Sequence, residues 1–287
     1  MKKYLIVLIC LLMCGCNYNT NEVDIENINT FNYDQVSELD FDIHSQEYLI
    51  VRVSDLTVLK SKNADKKMYP ASLTKIMTLD AILHYADSLD DKSSVTYEQV
   101  LDLIDQDASL ANIICDHDYS LRDLLYALIL PSGADAAVAL ENYFTNKGMN
   151  LIDLMNDELK QLGCNDTNFV NTTGLHDDNH YTTLNDLFKI IWDVLSYEDG
   201  RKILETLHYN MEDGTSLVSS ATRIYADDAI ILGGKTGFTD ESGQSINVLY
   251  KKNNRSYILL IANAMGNPYN GEFFHYEDAM ELIDKLY

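Results

Sequence analysis

Residues 71–86 have the sequence ASLTKIMTLDAILHYA, in which apolar side chains recur around most of the circumference of a helix. A helix that is apolar nearly all round is buried inside a domain. Pro70 precedes this helix, and its first turn carries Ser72 and Lys75. The i, i+3 spacing places these two side chains on one face, one turn apart. The sequence therefore predicts a buried helix with a hydroxyl and an amine side by side at its start.

This pair of side chains is typical of nucleophilic catalysis when the lysine is buried. A serine hydroxyl is a weak nucleophile unless a base takes its proton, and burial can lower a lysine pKa until the amine acts as that base. Backbone N–H groups at a helix N-terminus can also stabilise an oxyanion. The spacing is common by chance, so a helix-start serine beside an exposed lysine is the alternative. The apolar surroundings of Ser72 and Lys75 favour the catalytic interpretation.

Strands are predicted on both sides of a helical middle region. Two β-branched, apolar runs predict an N-terminal hairpin, Tyr48–Val53 with Thr57–Leu59. Helices are predicted from Leu121 with Ser120 as its cap, from Asp135, and over residues 151–162 and 183–196. The C-terminal third predicts strands Ala229–Leu232, Ser245–Tyr250 and Tyr257–Ala262, and a last helix, Glu272–Leu286. This order predicts an α+β fold whose sheet joins the two termini.

Two further short motifs lie outside the buried helix. Residues 132–135, SGAD, occupy the break between two predicted helices, where a plain turn is the simpler interpretation. Residues 235–237, KTG, lie on a predicted strand after two glycines. A lysine and a hydroxyl on a strand edge can hold a carboxylate, and glycine lets an extended peptide approach the backbone closely. Each motif alone is weak evidence, but their order along the chain is specific.

The order S-x-x-K, serine turn, K-T-G is the pattern of penicillin-recognising serine enzymes. The chain resembles low-molecular-weight penicillin-binding proteins of the serine-type D-alanyl-D-alanine carboxypeptidase family. The stretches that carry this resemblance, which spans roughly residues 48–287, are YPASLTKIMT, SLRDLLYALILPSGADAAVAL, FVNTTGLHDDNHYTT and GGKTGFTDESG. The resemblance implies a β-lactamase/transpeptidase-like fold, with an antiparallel sheet flanked by helices plus an all-helical lobe.

The resemblance also implies catalytic roles. Ser72 would be the acylated nucleophile, with Lys75 as its base. Ser132, carried by the helical lobe, would relay a proton to or from the leaving D-alanine. The reaction would remove the terminal D-alanine from peptidoglycan stem peptides, and β-lactams would acylate the same serine. Neither a cofactor nor a metal ion is expected.

Substrate-binding roles follow from the same resemblance. Lys235 and Thr236 would hold the terminal carboxylate of the substrate, beside Gly237. The backbone N–H groups of Ser72 and Phe238 would form the oxyanion hole. The sequence alone leaves open whether the enzyme trims D-alanine, cleaves cross-links or transfers the acyl group.

Ala134 departs from the family pattern, which has an asparagine at this position. The asparagine amide would contact the substrate backbone and the active-site lysine, whereas a methyl group neither donates nor accepts. A working but slow enzyme is expected, with Asp135 or the region of Asn179 as possible substitutes for the amide. The alternative is a non-catalytic lipoprotein that binds muropeptides or penicillin without turnover. The intact charged motif residues weigh against it, because charged groups are costly to bury.

Three other enzyme classes are weaker alternatives. His176, Asp177, Asp178 and His180 resemble a zinc cluster, but no further ligand is obviously placed. A Ser-His-Asp triad lacks its usual G-x-S-x-G turn. A β-lactamase would need a deacylating carboxylate between the second and third motifs, and none is identifiable.

The N-terminal residues predict an exported protein. Lys2 and Lys3 precede a short apolar run, Leu5–Met13, which is too short to span a bilayer and is typical of a secretory signal. Gly15 followed by Cys16 resembles a lipobox. Cys16 would then carry lipid and anchor the protein to the outside of the bacterial cell membrane. An ordinary signal peptide with incidental cysteines is the alternative.

The same signals predict the division of the chain. Residues 1–15 are predicted to be the lipoprotein signal peptide. Residues 16–45, rich in Asn and Asp, are predicted to be a flexible tether. Residues 46–287 are predicted to form the carboxypeptidase-like domain.

Composition excludes some partners and leaves the redox state open. The 287 residues carry a net charge of −24, which disfavours nucleic acid because phosphate binding needs a basic surface. The hydrophobic share of 46% is enough for a real core. After export, Cys115 and Cys164 could form one disulfide or remain two thiols.

Overall fold

The computed structural model describes residue 36 and residues 39–285. Its centre is a five-stranded sheet made of β1 (Ser45–Arg52), β2 (Thr57–Lys62), β7 (Ala229–Thr239), β8 (Gly243–Lys252) and β9 (Arg255–Ala264). Neighbouring strands are antiparallel, in the order β2-β1-β9-β8-β7. Two short antiparallel strand pairs lie outside this sheet. They are β3 (Lys92–Ser93) with β4 (Tyr119–Ser120), and β5 (His208–Asn210) with β6 (Ser216–Val218).

The helices of the described part fall mostly between β2 and β5. They are α1 (Thr74–Tyr85), α2 (Tyr97–Asp105), α3 (Leu121–Ile129), α4 (Ala134–Asn146), α5 (Leu151–Gln161), α6 (Leu184–Ser196), α7 (Glu198–Leu204) and α8 (Phe274–Lys285). Helices α2 to α5 belong to the helical lobe, and α8 follows the last strand. The predicted α+β class, with a helix-flanked antiparallel sheet and a helical lobe, is confirmed.

Each face of the sheet is covered by helices because both of its faces are apolar. On β1, Leu49 and Val51 point to the core shared with α1 and α6, whereas Tyr48 and Ile50 point to the core shared with α8. This is the two-residue period of a strand buried on both sides. The sheet therefore separates two apolar layers, the larger of which contains the buried helix α1.

The predicted meeting of the two ends of the chain in one sheet is confirmed. Strand β1 pairs with β9, and Leu49 lies opposite Leu260. The predicted turn between β8 and β9 is formed by Asn253 and Asn254, with φ of 52° and 59°. Asparagine tolerates this left-handed backbone better than most residues, which explains its use in a two-residue hairpin loop.

Some elements differ from the sequence expectations. The helix predicted from residue 71 begins as a 3₁₀ turn, Ala71–Leu73, and becomes α-helical at Thr74. Strand β7 extends to Thr239, so the KTG motif lies inside the strand. Helix α2 was not predicted, although its start carries a capping box in which Thr96 and Gln99 bond to each other's backbone N–H.

Part of the segment assigned to the tether contacts the folded domain. Leu39, Phe41 and Ile43 pack against the apolar layer that contains α8. Asp278 on α8 accepts hydrogen bonds from the backbone N–H groups of His44 and Ser45, at 3.0 and 2.7 Å. Residues 1–15 and Cys16 lie outside the described residues.

In the structure, Cys115 and Cys164 are two free thiols and do not form a disulfide. Cys115 and Cys164 are both free, and Cys164 is buried with its Sγ 3.7 Å from the carbonyl oxygen of Asp186. Among the described helices, none combines the length and apolar character that crossing a membrane requires.

Candidate active site

A cleft of about 890 Å³ lies between β7, the start of α1 and the turn between α3 and α4. Residues of all three sequence motifs line it, namely Ser72, Lys75, Ser132, Ala134, Thr236, Gly237 and Phe238. Thr173, Ser220 and Arg223 also line the cleft, and the sequence did not indicate them. The fold thus brings the separate motifs to one surface.

The segment that carries Ser72 is held in a conformation that is unfavourable by itself. Ala71 has a φ of 47°, in the left-handed region that costs a non-glycine residue about 1–2 kcal/mol. Two glycines let neighbouring backbone lie directly against this segment. A Cβ on Gly174 would lie 1.9 Å from the carbonyl oxygen of Ala71, and one on Gly237 would lie 3.0 Å from that of Pro70. Close packing at glycine therefore fixes the position of the serine.

Lys75 is placed to act on the Ser72 hydroxyl. Its Nζ lies 3.0 Å from Ser72 Oγ and donates to the carbonyl oxygen of Thr173 at 2.5 Å. Only 2% of Lys75 is exposed. Burial lowers the pKa of its ammonium to about 7, partly opposed by the negative charge of Asp135. A substantial fraction of Lys75 is therefore an uncharged amine at neutral pH.

His180 links the Thr173 segment to the active-site helix. The backbone N–H of Val170 donates to His180 Nδ1 at 3.1 Å, so Nε2 carries the proton and donates to Thr74 Oγ1 at 2.6 Å. Burial lowers the pKa of His180 to about 4, which keeps the ring neutral at pH 7. Because Thr74 is the first residue of α1, these bonds tie the segment 170–180, which includes Thr173, to the start of that helix.

The histidine-rich segment has a structural explanation that does not involve zinc. Both ring nitrogens of His180 are occupied by protein groups. His176 lines the cleft and lies 3.6 Å from Asp178, while Asp177 accepts a hydrogen bond from the backbone N–H of Asn179. The four residues that resemble a zinc cluster in the sequence do not converge on one point.

Ser132 presents a hydroxyl without a partner. Its backbone is left-handed, with a φ of 67°, and its Oγ is buried with no hydrogen-bond partner among the described residues. Leaving a buried polar group unpaired costs about 1–3 kcal/mol. The turn is held by Gly133, whose N–H donates to the carbonyl oxygen of Ala127 at 3.0 Å. The arrangement keeps a hydroxyl at the cleft, unpaired, where a substrate group can bind it.

Neither Asp135 nor Asn179 stands in for the amide that Ala134 lacks. Ala134 is 1% exposed and lines the cleft. The Asp135 carboxylate accepts hydrogen bonds from the backbone N–H groups of Ala111 and Ile113, at 2.8 and 3.1 Å, so it anchors a loop instead. Asn179 is not among the cleft residues. Asp135 is therefore committed to other contacts, while a substitute from the region of Asn179 stays a prediction, since His176 in that region lines the cleft.

Strand β7 forms the opposite wall. Thr236 Oγ1 donates to Ser220 Oγ at 2.9 Å, and Arg223 lines the cleft beside them. Lys235 lies behind this wall, fully buried, and its Nζ donates to the carbonyl oxygen of Thr236 at 2.6 Å. Burial, reinforced by the positive charge of Lys75, holds the pKa of Lys235 well below its usual range. In this arrangement, Thr236 and Arg223 face the cleft more directly than Lys235.

Comparison with known proteins agrees with this geometry. The family described as D-alanyl-D-alanine carboxypeptidase matches residues 33–266. The D-alanyl-D-alanine carboxypeptidase DacF of Bacillus subtilis is 27% identical over 210 residues, which cover 72% of this chain and 54% of that protein. The chain therefore spans about half the length of this curated relative.

Two solved structures resemble the whole domain. The DD-transpeptidase of Streptomyces K15 superposes with a TM-score of 0.74 at 24% identity, covering 85% of this chain and 97% of that chain. Penicillin-binding protein D2 of Listeria monocytogenes, solved in the cefotaxime-bound form, gives 0.70 at 26% identity, covering 85% and 98%. The similarity to the Streptomyces K15 enzyme supports the assignment of the fold. The Listeria monocytogenes protein is a structural relative that was solved with a bound β-lactam, cefotaxime.

The buried neutral His180 predicts an acid-sensitive fold. An unfolded histidine gains its proton near pH 6.5, whereas folded His180 gains it only near pH 4, so the unfolded chain binds more protons between these values. The free energy of unfolding should therefore fall as the pH drops from about 6.5 to 4, with up to about 3 kcal/mol due to His180.

Urea unfolding of wild type and His180→Gln across this pH range tests the prediction. The variant should lose less stability on acidification than wild type, because glutamine does not titrate there. His208→Gln, which removes an exposed histidine, is the matched control and should follow wild type. Equal pH dependence in all three proteins would contradict the assignment.

Proposed function

Because the chain belongs to the D-alanyl-D-alanine carboxypeptidase family, we propose that it removes the terminal D-alanine from peptidoglycan stem peptides through an acyl-enzyme on Ser72. The observation that carries this proposal is the buried Lys75 amine, 3.0 Å from the Ser72 hydroxyl in an open cleft. A structural lysine would be expected at the surface or paired with a carboxylate. This one contacts the hydroxyl and a carbonyl oxygen, which are the partners of a base.

Acylation begins with proton transfer from Ser72 to Lys75. Neutral Lys75 takes the Ser72 proton as Ser72 Oγ attacks the carbonyl carbon of the D-alanyl-D-alanine bond. The backbone N–H groups of Ser72 and Phe238 stabilise the oxyanion that forms on the carbonyl oxygen. The proton now held by Lys75 then passes through the Ser132 hydroxyl to the leaving nitrogen, the C–N bond breaks, D-alanine departs with a neutral amine, and the acyl group stays on Ser72. Water then hydrolyses the ester by the reverse proton path.

The substrate carboxylate is placed by the wall that β7 forms. Thr236 and Ser220 offer hydroxyl groups, and the exposed guanidinium of Arg223 offers a charge-assisted hydrogen bond. Lys235 lies behind them, fully buried, and is not one of the residues that line the cleft. A D-alanine carboxylate and a penicillin carboxylate share this chemistry, which accounts for binding of both at one site.

Covalent labelling at Ser72 is the first test. Incubation with benzylpenicillin should add the full mass of the drug to the intact protein, because ring opening by Ser72 retains every atom. Peptide mapping should place the adduct on the peptide that contains Ser72, and Ser72→Ala should abolish it. Ser109→Ala, a second cleft serine outside the mechanism, is the matched control and should acylate like wild type. Absence of any adduct at saturating drug would refute the serine-enzyme proposal.

The non-catalytic binder remains the second candidate because of Ala134. A hydrogen bond missing only in the transition state should cost on the order of 1.5–3 kcal/mol, or about 10–100-fold in turnover. We therefore predict that wild type releases D-alanine from a pentapeptide slowly, and that Ala134→Asn raises kcat by about 10–100-fold. A binder without turnover would release no D-alanine with or without the asparagine. A lower rate in a folded Ala134→Asn protein would instead mean that the cleft is packed against the alanine methyl group and does not accommodate the amide.

We also propose that Cys16 carries a lipid that anchors the protein outside the cell membrane. The support is the Gly15-Cys16 pair directly after a short apolar run. Two acyl chains hold a protein stably at a membrane, whereas one binds only marginally. Wild type should sediment with membranes and Cys16→Ala should not, while Cys10→Ala, within the apolar run, should behave like wild type. Recovery of wild type in the soluble fraction with an unmodified N-terminus would exclude the anchor.

A further inference from the structure

A second cluster of ionisable side chains lies on the opposite side of helix α1 from the cleft. Asp80 and His84 are one turn apart on α1, and Asp193 faces them from α6. One possible ligand atom from each of the three residues lies within 4.8 Å of the other two. Asp80 is five residues after Lys75, about 140° around the helix, and none of the three lines the catalytic cleft.

Asp80 is the unusual member of this cluster. The residue is fully buried, and neither carboxylate oxygen has a hydrogen-bond partner among the described residues. Buried carboxylates are normally paired with a cation or satisfied by several donors. A buried carboxyl group that faces a histidine and a second carboxyl group needs a partner, which is either a proton shared with Asp193 or a cation.

The charge of the cluster points to a cation as that partner. Glu158 on α5 and Asp193 are also buried, 3% and 6% exposed, so three carboxylates share one interior region. Within the described residues, His84 is the only ion-pair partner of Glu158 and Asp193, and Asp80 has none. Carboxylates at this range repel strongly away from water, so all three can be ionised together only with a cation among them.

The geometry around His84 matches that of a histidine ligand. Its Nε2 lies 2.7 Å from Asp193 Oδ2, while its Nδ1 lies 3.2 Å from the Tyr197 hydroxyl and 3.7 Å from Glu158 Oε2. Metal-bound histidines commonly direct the second ring nitrogen to a carboxylate, which fixes the ring. Glu158 is itself held in place, since its Oε2 accepts hydrogen bonds from Tyr85 and Gln161, each at 3.0 Å.

We propose that Asp80, His84 and Asp193 bind one Zn²⁺ ion, with His84 Nε2 and one oxygen of each aspartate as ligands and the Tyr197 hydroxyl, at His84 Nδ1, as the orienting group. One imidazole nitrogen and two carboxylate oxygens form a mixed ligand set that suits Zn²⁺. The ion replaces the protons that Asp193 shares with His84 and with Asp80. It joins α1 to α6 and so stiffens the helix that carries Lys75, with no part in the chemistry of the cleft.

Zinc titration of the untagged, folded protein tests this site. After removal of metal with EDTA, calorimetry should show one equivalent of Zn²⁺ bound per wild-type chain. Zinc at a hundredfold excess over its Kd should raise the melting temperature by roughly 5–10 °C. Asp80→Asn and His84→Gln should each weaken binding at least tenfold and lose the thermal shift. His176→Gln, which alters the other histidine-rich segment, is the matched control and should bind like wild type.

The absence of zinc binding would instead mean that the carboxyl groups of the cluster share a proton. In that case wild type takes up no zinc at this site and shows no thermal shift, and Asp80→Asn melts at or above the wild-type temperature because it removes a carboxylate. Zinc uptake that is lost in His176→Gln but kept in His84→Gln would also overturn the proposal. Circular dichroism of each variant shows that the comparison is made between folded proteins.

Discussion

The burial of the Lys75 ammonium is the constraint on which the rest of the site depends. A lysine out of water, with only a hydroxyl and a carbonyl oxygen as direct partners, favours the uncharged amine. The fold sustains this because α1 is surrounded by helices α3, α4, α5, α6 and α7, with α6 between it and the sheet. The same burial that makes the lysine a base also makes helix α1 the centre of the larger core.

The elements around this lysine each hold one part of the site in an unfavourable state. Gly174 and Gly237 press backbone against the left-handed Ala71, so the serine cannot relax away from Lys75. Asp135 ties the turn of Ser132 to its neighbouring loop and leaves the serine hydroxyl unpaired. Such unfavourable local conformations persist only where the surrounding packing holds them in place. The unpaired hydroxyl of Ser132 is then available to a ligand. The fold is therefore less stable than it could be, and the site is ready for its substrate.

Much of this arrangement could be predicted from the sequence, because periodicity and turn residues are local signals. The buried α1 follows from its apolar circumference, and the β8–β9 turn follows from Asn253 and Asn254. The joint placement of Ser72, Ser132 and Thr236 follows from the family resemblance rather than from spacing. The position of Lys235 behind the wall, the partners of Asp135 and the role of His180 could not be predicted, since each depends on contacts between segments far apart in sequence. For the same reason, Asp80 and Asp193 carry no pattern that would join them before folding.

The most direct test of the central claim is the pH dependence of the second-order rate constant for acylation by benzylpenicillin. If buried Lys75 is the base, this rate should fall about tenfold per pH unit on the acid side of an apparent pKa near 7. It should reach a plateau above pH 8, over a range in which circular dichroism shows that the fold is intact. A rate that stays constant from pH 5.5 to 8.5, or that rises only near pH 10, would show that Lys75 is not a base with a lowered pKa.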